Sequence, residues 1–178
     1  ISLAERARRV NSQCTKLGTK NVCLVSIHCN AAGNGDWKNA TGCEVYTTPG
    51  TTNSDKLAKC FCNVFKGIFP NEKLRGHKEA NFTVIKKTNC PCVLTENFFY
   101  DNKKDCELML SEEGQSKIAE LHVEAIKEYK ELKERYEFIT TQKADLDKSE
   151  QNLQKIIADM TAIMKEEFLS KFNIINEN

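Results

Sequence analysis

The chain has 178 residues, 40% of them hydrophobic, and a formal net charge of +1. That length holds one domain plus an appendage, with enough apolar content for a packed core. The near-neutral balance gives no electrostatic case for nucleic acid or an anionic membrane, and no run of about 18 apolar residues spans one.

The first predicted element is a helix over residues 2–13. Ser2 is placed to cap it, with Glu5 at capping-box spacing, and Leu3, Ala4, Ala7 and Val10 form its apolar side. The run Val22-Cys23-Leu24-Val25-Ser26-Ile27 suits a central strand that ends near His28 and Cys29. A Gly/Asn-rich loop, Gly33-Asn34-Gly35-Asp36, leads to an alternating strand over 42–48, and Pro49-Gly50 marks a turn. A helix starting at Asn53 or Ser54 repeats Leu57, Ala58, Phe61, Val64, Phe65 and Ile68 at helical spacing, and Pro70 ends it. Residues 71–81 read as a polar loop. Phe82–Ile85 and Cys92–Thr95 read as two further short strands. Strands alternating with helices predict an α/β fold, a mixed sheet flanked by helices.

The character changes after Ser111. No Gly or Pro occurs from Gln115 onward. Ile118, Leu121, Ala125 and Ile126 suit a helix packed on the sheet. Beyond Tyr129, the residues Leu132, Ile139, Leu146, Leu153 and Met160 recur at the heptad interval, with Tyr136, Ile157 and Met164 in the companion row. Lys143 and Glu150 interrupt that row. The expected organisation is a domain over 1–129 and a long charged helix over 130–178 of coiled-coil character, able to form a homodimer.

The nine cysteines are an odd number and show no paired C-x-x-C spacing. They read as reduced, small hydrophobic residues, which favours synthesis in a reducing compartment.

Two strand ends carry the chemistry. One stops on His28 and the other on Glu96, so both can face one open pocket. An imidazole for a metal and a carboxylate for the proton of an attacking water are what a metal hydrolase uses. Taken alone, each has a plainer reading: a structural His at a strand end, and a carboxylate that caps or pairs with a Lys.

The ordered segments Ser2–Asn11, Val25-Ser26-Ile27-His28-Cys29-Asn30-Ala31-Ala32, Ala40–Tyr46, Lys78-Glu79-Ala80-Asn81-Phe82 and Pro91-Cys92-Val93-Leu94-Thr95-Glu96-Asn97 resemble the zinc-dependent N-acetylmuramoyl-L-alanine amidases of the amidase 3 type. The likeness covers roughly residues 1–130 and is closest to forms from gut bacteria of the Bacteroides kind or their phages. It implies a peptidoglycan substrate, cleaved between N-acetylmuramic acid and the L-alanine of the stem peptide. It implies zinc as cofactor, His28 as one metal ligand and Glu96 as the catalytic carboxylate. It implies action at the bacterial cell wall, in the periplasm or outside the cell.

The family's second His, in a Gly-His-Gly-Gly turn, and its ligand Glu belong before the point at which this sequence starts. An N-terminally truncated copy is therefore expected. Asn30, Arg75 and Lys78 are further candidates for substrate contact, the last two toward the anionic stem peptide; a solvated loop is the plainer reading. Trp37 reads as a loop anchor or a sugar-stacking ring. His77 with Glu79 is a remote substitute metal pair, and His122 reads as core. Two other classes stay open: a catalytically incomplete amidase fold acting as an interaction protein with a coiled-coil stalk, and a zinc carboxypeptidase acting on the stem peptide.

Overall fold

A computed structural model describes residues 1–176, with side chains described through residue 169. It divides into two compact units, Ile1–Glu131 and Leu132–Asn178. The first unit is built on a mixed sheet of four strands: β1 (Leu24–Asn30), β2 (Cys43–Thr47), β3 (Leu74–Glu79) and β4 (Cys92–Phe99). Their order is β1-β4-β2-β3. β4 runs parallel to β1 and antiparallel to β2, and β2 runs parallel to β3. The second unit is the continuation of a single long helix, α5 (Glu112–Asn176).

Period-two alternation sorts the strand residues onto two faces. One face carries Cys43, Val45 and Val93, packed with Leu57, Ala58, Phe61 and Phe65 of α2 (Asn53–Ile68) and with Leu121, Ala125 and Tyr129 of α5. These side chains are nearly all excluded from solvent, and they hold the sheet flat against the two helices. Thr52 caps α2 in a full capping box with Asp55, one residue before the expected start. His122 of α5 also lies on this side. Its Nε2 meets the Thr95 hydroxyl at 2.9 Å and its Nδ1 meets the Ile118 carbonyl at 2.7 Å. A carbonyl only accepts, so Nδ1 carries the proton and Nε2 accepts from Thr95. Burial disfavours the imidazolium and lowers the pKa of His122.

The other face carries Leu94 and Cys92 at its base, covered by Val84 and Ile85. α1 (Leu3–Leu17) begins as expected, with Ser2 Oγ accepting from the Glu5 amide at 3.2 Å. It is tied to the segment before β4 by Asn11. That side chain donates to the Lys87 carbonyl and accepts from the Asn89 amide, both at 2.8 Å.

Three local expectations are corrected. The run before His28, expected as a central strand, forms β1 at the edge of the sheet, paired only with β4 among the described strands. The run Thr83-Val84-Ile85-Lys86 is a single turn of helix, α3, and not a strand. Adjacent Val84 and Ile85 are both buried, an arrangement that a half-buried strand cannot give and a helical corner can. Residues 74–79, read as loop, form β3. Their polarity misled because nearly every polar side chain in the strand has a partner on β2 or α2.

Gly42 enters β2 with φ +101°, and an added Cβ would stand 2.2 Å from the Lys73 carbonyl oxygen. Both the backbone region and the close approach exclude a side chain. Gly42→Ala is expected to destabilise the domain by about 3 kcal/mol, read as a lowered urea midpoint. An unchanged midpoint would show that the β2–β3 junction can relax freely.

Candidate active site

Three ionisable residues share one rung of the sheet. His28 of β1 stands beside Glu96 of β4, and Glu96 stands beside Glu44 of β2. Adjacent strands are about 4.8 Å apart, so the ladder itself sets the spacing of these side chains. They lie on the face opposite the α2 packing. His28 and Glu96 are thus brought together. His28 Nε2 is 2.9 Å from the Ser26 hydroxyl, and its carbonyl accepts from Asn97 Nδ2 at 2.9 Å.

Just past this rung the β1–β4 register shifts between His28 and Asn30, so that Asn30 pairs with Phe99. Phe98 absorbs the extra residue at φ +65°, fully buried. A bulky residue in the left-handed region is strained. Packing against Phe65 and Phe69 holds it there, and such strain collects at functional sites.

Glu96 Oε2 is buried and has no hydrogen-bond partner among the described residues. Burial, with Glu44's charge adding to it, pushes the Glu96 carboxyl up to about 6. Burial and the nearby Glu96 charge also raise the Cys29 thiol, which therefore stays protonated and non-nucleophilic at neutral pH.

Glu44 behaves oppositely, although it is just as deeply placed. Its Oε1 accepts from Asn30 Nδ2 at 2.8 Å and from the Tyr46 hydroxyl at 2.7 Å. Its Oε2 accepts from Arg75 Nε at 2.6 Å and from Lys78 Nζ. Burial alone would raise this carboxyl. The donors from Lys78, Arg75, Tyr46 and Asn30 outweigh it and hold Glu44 at about 2. Burial, then the bond to Glu44, lifts Tyr46 to about 12. Two carboxylates on one rung are thereby split, one always charged and one poised to exchange a proton near neutrality.

Asn30, Arg75 and Lys78 thus gather around Glu44, a residue the sequence reading passed over. Its alternation with the core residues Cys43 and Val45 is the pattern that a solvent-facing strand position also shows. The available signal was its shared parity with Tyr46; the two cations that reach it, Arg75 and Lys78, lie on β3, distant in sequence. Arg75 also lies over the Phe99 ring, 5.0 Å from its centroid. His77 faces the other side, with Nε2 2.7 Å from the Thr47 hydroxyl and 3.5 Å from Asp55. Trp37 is exposed on its loop.

Residues 1–128 match the family described as N-acetylmuramoyl-L-alanine amidase, Amidase_3. The chain belongs to that amidase family. The endolysin of Bacillus phage SPP1 is 30% identical over 162 residues, covering 88% of this chain and 56% of that protein. The N-acetylmuramoyl-L-alanine amidase CwlM of Bacillus licheniformis is 33% identical over 131 residues, covering 71% of this chain and 45% of that protein. The chain spans about half the length of these curated relatives. Among solved structures, the N-acetylmuramoyl-L-alanine amidase of Clostridium difficile 630 superposes with a TM-score of 0.64 at 30% identity, over 74% of this chain and 66% of that one.

The fit of this amidase chain to a zinc ion can be tested on its donors. The imidazole of His28 and the partnerless oxygen of Glu96 are suitable ligand chemistry. A catalytic zinc takes about three protein ligands, and no group of three His, Cys, Asp or Glu that could hold a metal occurs among the described residues. Glu44, the remaining carboxylate on the rung, is saturated by its four donors. The described residues therefore do not make a complete zinc site by themselves.

Proposed function

We propose that this domain hydrolyses the amide between N-acetylmuramic acid and the L-alanine of the peptidoglycan stem peptide, acting at the bacterial cell wall. The observation that carries the reading is the buried, partnerless Glu96 Oε2 with its carboxyl lifted to about 6, beside His28 on the same rung. A carboxylate poised near working pH can take a proton from attacking water and return it to the leaving nitrogen. Glu96 is assigned that role and His28 one of the zinc ligands. Because the donor set is incomplete, no step is routed through the metal. Arg75 and Lys78, partly exposed above Glu44, are assigned to the anionic stem peptide, and Asn30 to holding Glu44 in place.

The ligand count favours a second reading, an amidase fold that binds without cleaving. Muropeptide analysis with supplied zinc separates the two. The expected product is an intact stem peptide with a free L-alanine amino terminus, lost on chelation. A shortened stem peptide would indicate a carboxypeptidase. No release and no retained zinc would leave the binding role standing.

A further inference from the structure

The described side chains of the second unit include an exposed apolar stripe. Leu132, Ile139, Leu146, Leu153 and Met160 form one heptad row, and Tyr136, Ile157 and Met164 the companion row. Their exposures run from 42% to 70%. The rows continue in phase from Ala125 and Tyr129, which are buried in the first unit, so one heptad register runs through α5. Eight side chains giving up on the order of 100 Å² each on two chains would remove about 1,600 Å², the size of a standard stable interface. No described helix is long and apolar enough to cross a membrane.

The two charged interruptions identify the occupant. Lys143 and Glu150 both fall in the companion row. A parallel pair of identical helices would set Lys143 on Lys143 and Glu150 on Glu150, two like-charge contacts at the seam, which is destabilising. In an antiparallel pair, each companion-row residue faces a main-row residue of the other helix. Placing Leu132 opposite Met164 of the second copy aligns Tyr136 with Met160, Ile139 with Ile157, Lys143 with Leu153 and Leu146 with Glu150. Lys143 of each chain then lies one layer from Glu150 of the other, an opposite-charge neighbour at both crossings. This register covers the whole exposed stripe, residues 132–164, about 50 Å of helix at 1.5 Å per residue. Gln154 Nε2, 3.4 Å from Glu150 Oε1, sits one turn away and leaves that carboxylate able to accept.

We propose that the helix over 132–164 is an antiparallel homodimerisation surface, with Lys143 and Glu150 setting orientation and register. The test is sedimentation of the full chain across concentration, with Lys143→Glu, Glu150→Lys and the double exchange, helicity being checked by circular dichroism. The wild type is expected to dimerise at micromolar concentration. Each single exchange should weaken the dimer about tenfold or more, since it makes both crossings like-charged. The double exchange should restore it. A monomer up to about 200 µM would overturn the proposal and assign the stripe to a different partner. A dimer indifferent to the single exchanges would be parallel and would overturn the register.

Discussion

Glu96→Gln is expected to reduce muropeptide release by about 10³-fold, within the usual range for a positioned general acid–base, while raising thermal stability at alkaline pH. The two effects share a cause. Burial, then the Glu44 charge, lifts the Glu96 carboxyl to about 6, so the fold prefers its protonated form. With the folded pKa above the unfolded value of about 4.5, the stability this gives is fully present below 4.5 and is lost as pH rises through about 6. The neutral Gln escapes that loss. Glu96 is partly exposed, so solvent screening reduces the gain to about 1 kcal/mol. Calorimetry at pH 8 should show the variant melting about 3 °C higher, with no difference at pH 4. Lower melting at both pH values would mean that Glu96 is a structural carboxylate, and the catalytic assignment would go with it.

A stability loss as large as that at Gly42 is expected at Glu44→Gln. The Glu44 side chain is 4% exposed and receives both Arg75 and Lys78. Removing its charge strands two cations against a neutral amide, and breaking such a buried pair costs about 3 kcal/mol. Here the sign is opposite to that of Glu96. Held at about 2, Glu44 contributes stability that is present above about 4.5 and lost as pH falls through about 2. Urea unfolding should therefore separate wild type and variant widely at pH 7 and progressively less toward pH 3. Because Glu44 helps raise Glu96, the acid limb of the activity profile should also move below pH 6. A limb that stays in place would show that the two carboxylates are not electrostatically coupled.

The parts of this fold legible in the sequence are those where burial is one-sided and continuous. The apolar run before Glu96 reads as a strand because its side chains are buried, and α2 was legible from its helical spacing; the run before His28 also reads as a strand, although it lies at the sheet edge with Ile27 60% exposed. β3 was not legible. Leu74-Arg75-Gly76-His77-Lys78-Glu79 has the composition of a loop, and its strand character arises from partners far away in sequence: Glu44 for Arg75 and Lys78, Thr47 and Asp55 for His77. The same non-locality hid Glu44. A carboxylate between core residues looks solvated until the cations that surround it are placed. The juxtaposition of His28 and Glu96 was readable because each follows an apolar run; both strands continue past them, to Asn30 and Phe99, and sheet pairing does the rest.

Glu96 owes its position to parity. Thr95 reaches His122 on the helix-covered face, whereas Glu96 turns to the rung with His28 and Glu44. Insertion or deletion of one codon upstream of Glu96 within β4 would exchange these faces. Either change would drive the carboxylate onto the helix-covered face; an insertion would bring the Thr95 hydroxyl to the rung and a deletion the Asn97 amide. Length changes within β4 would thus abolish site and core together.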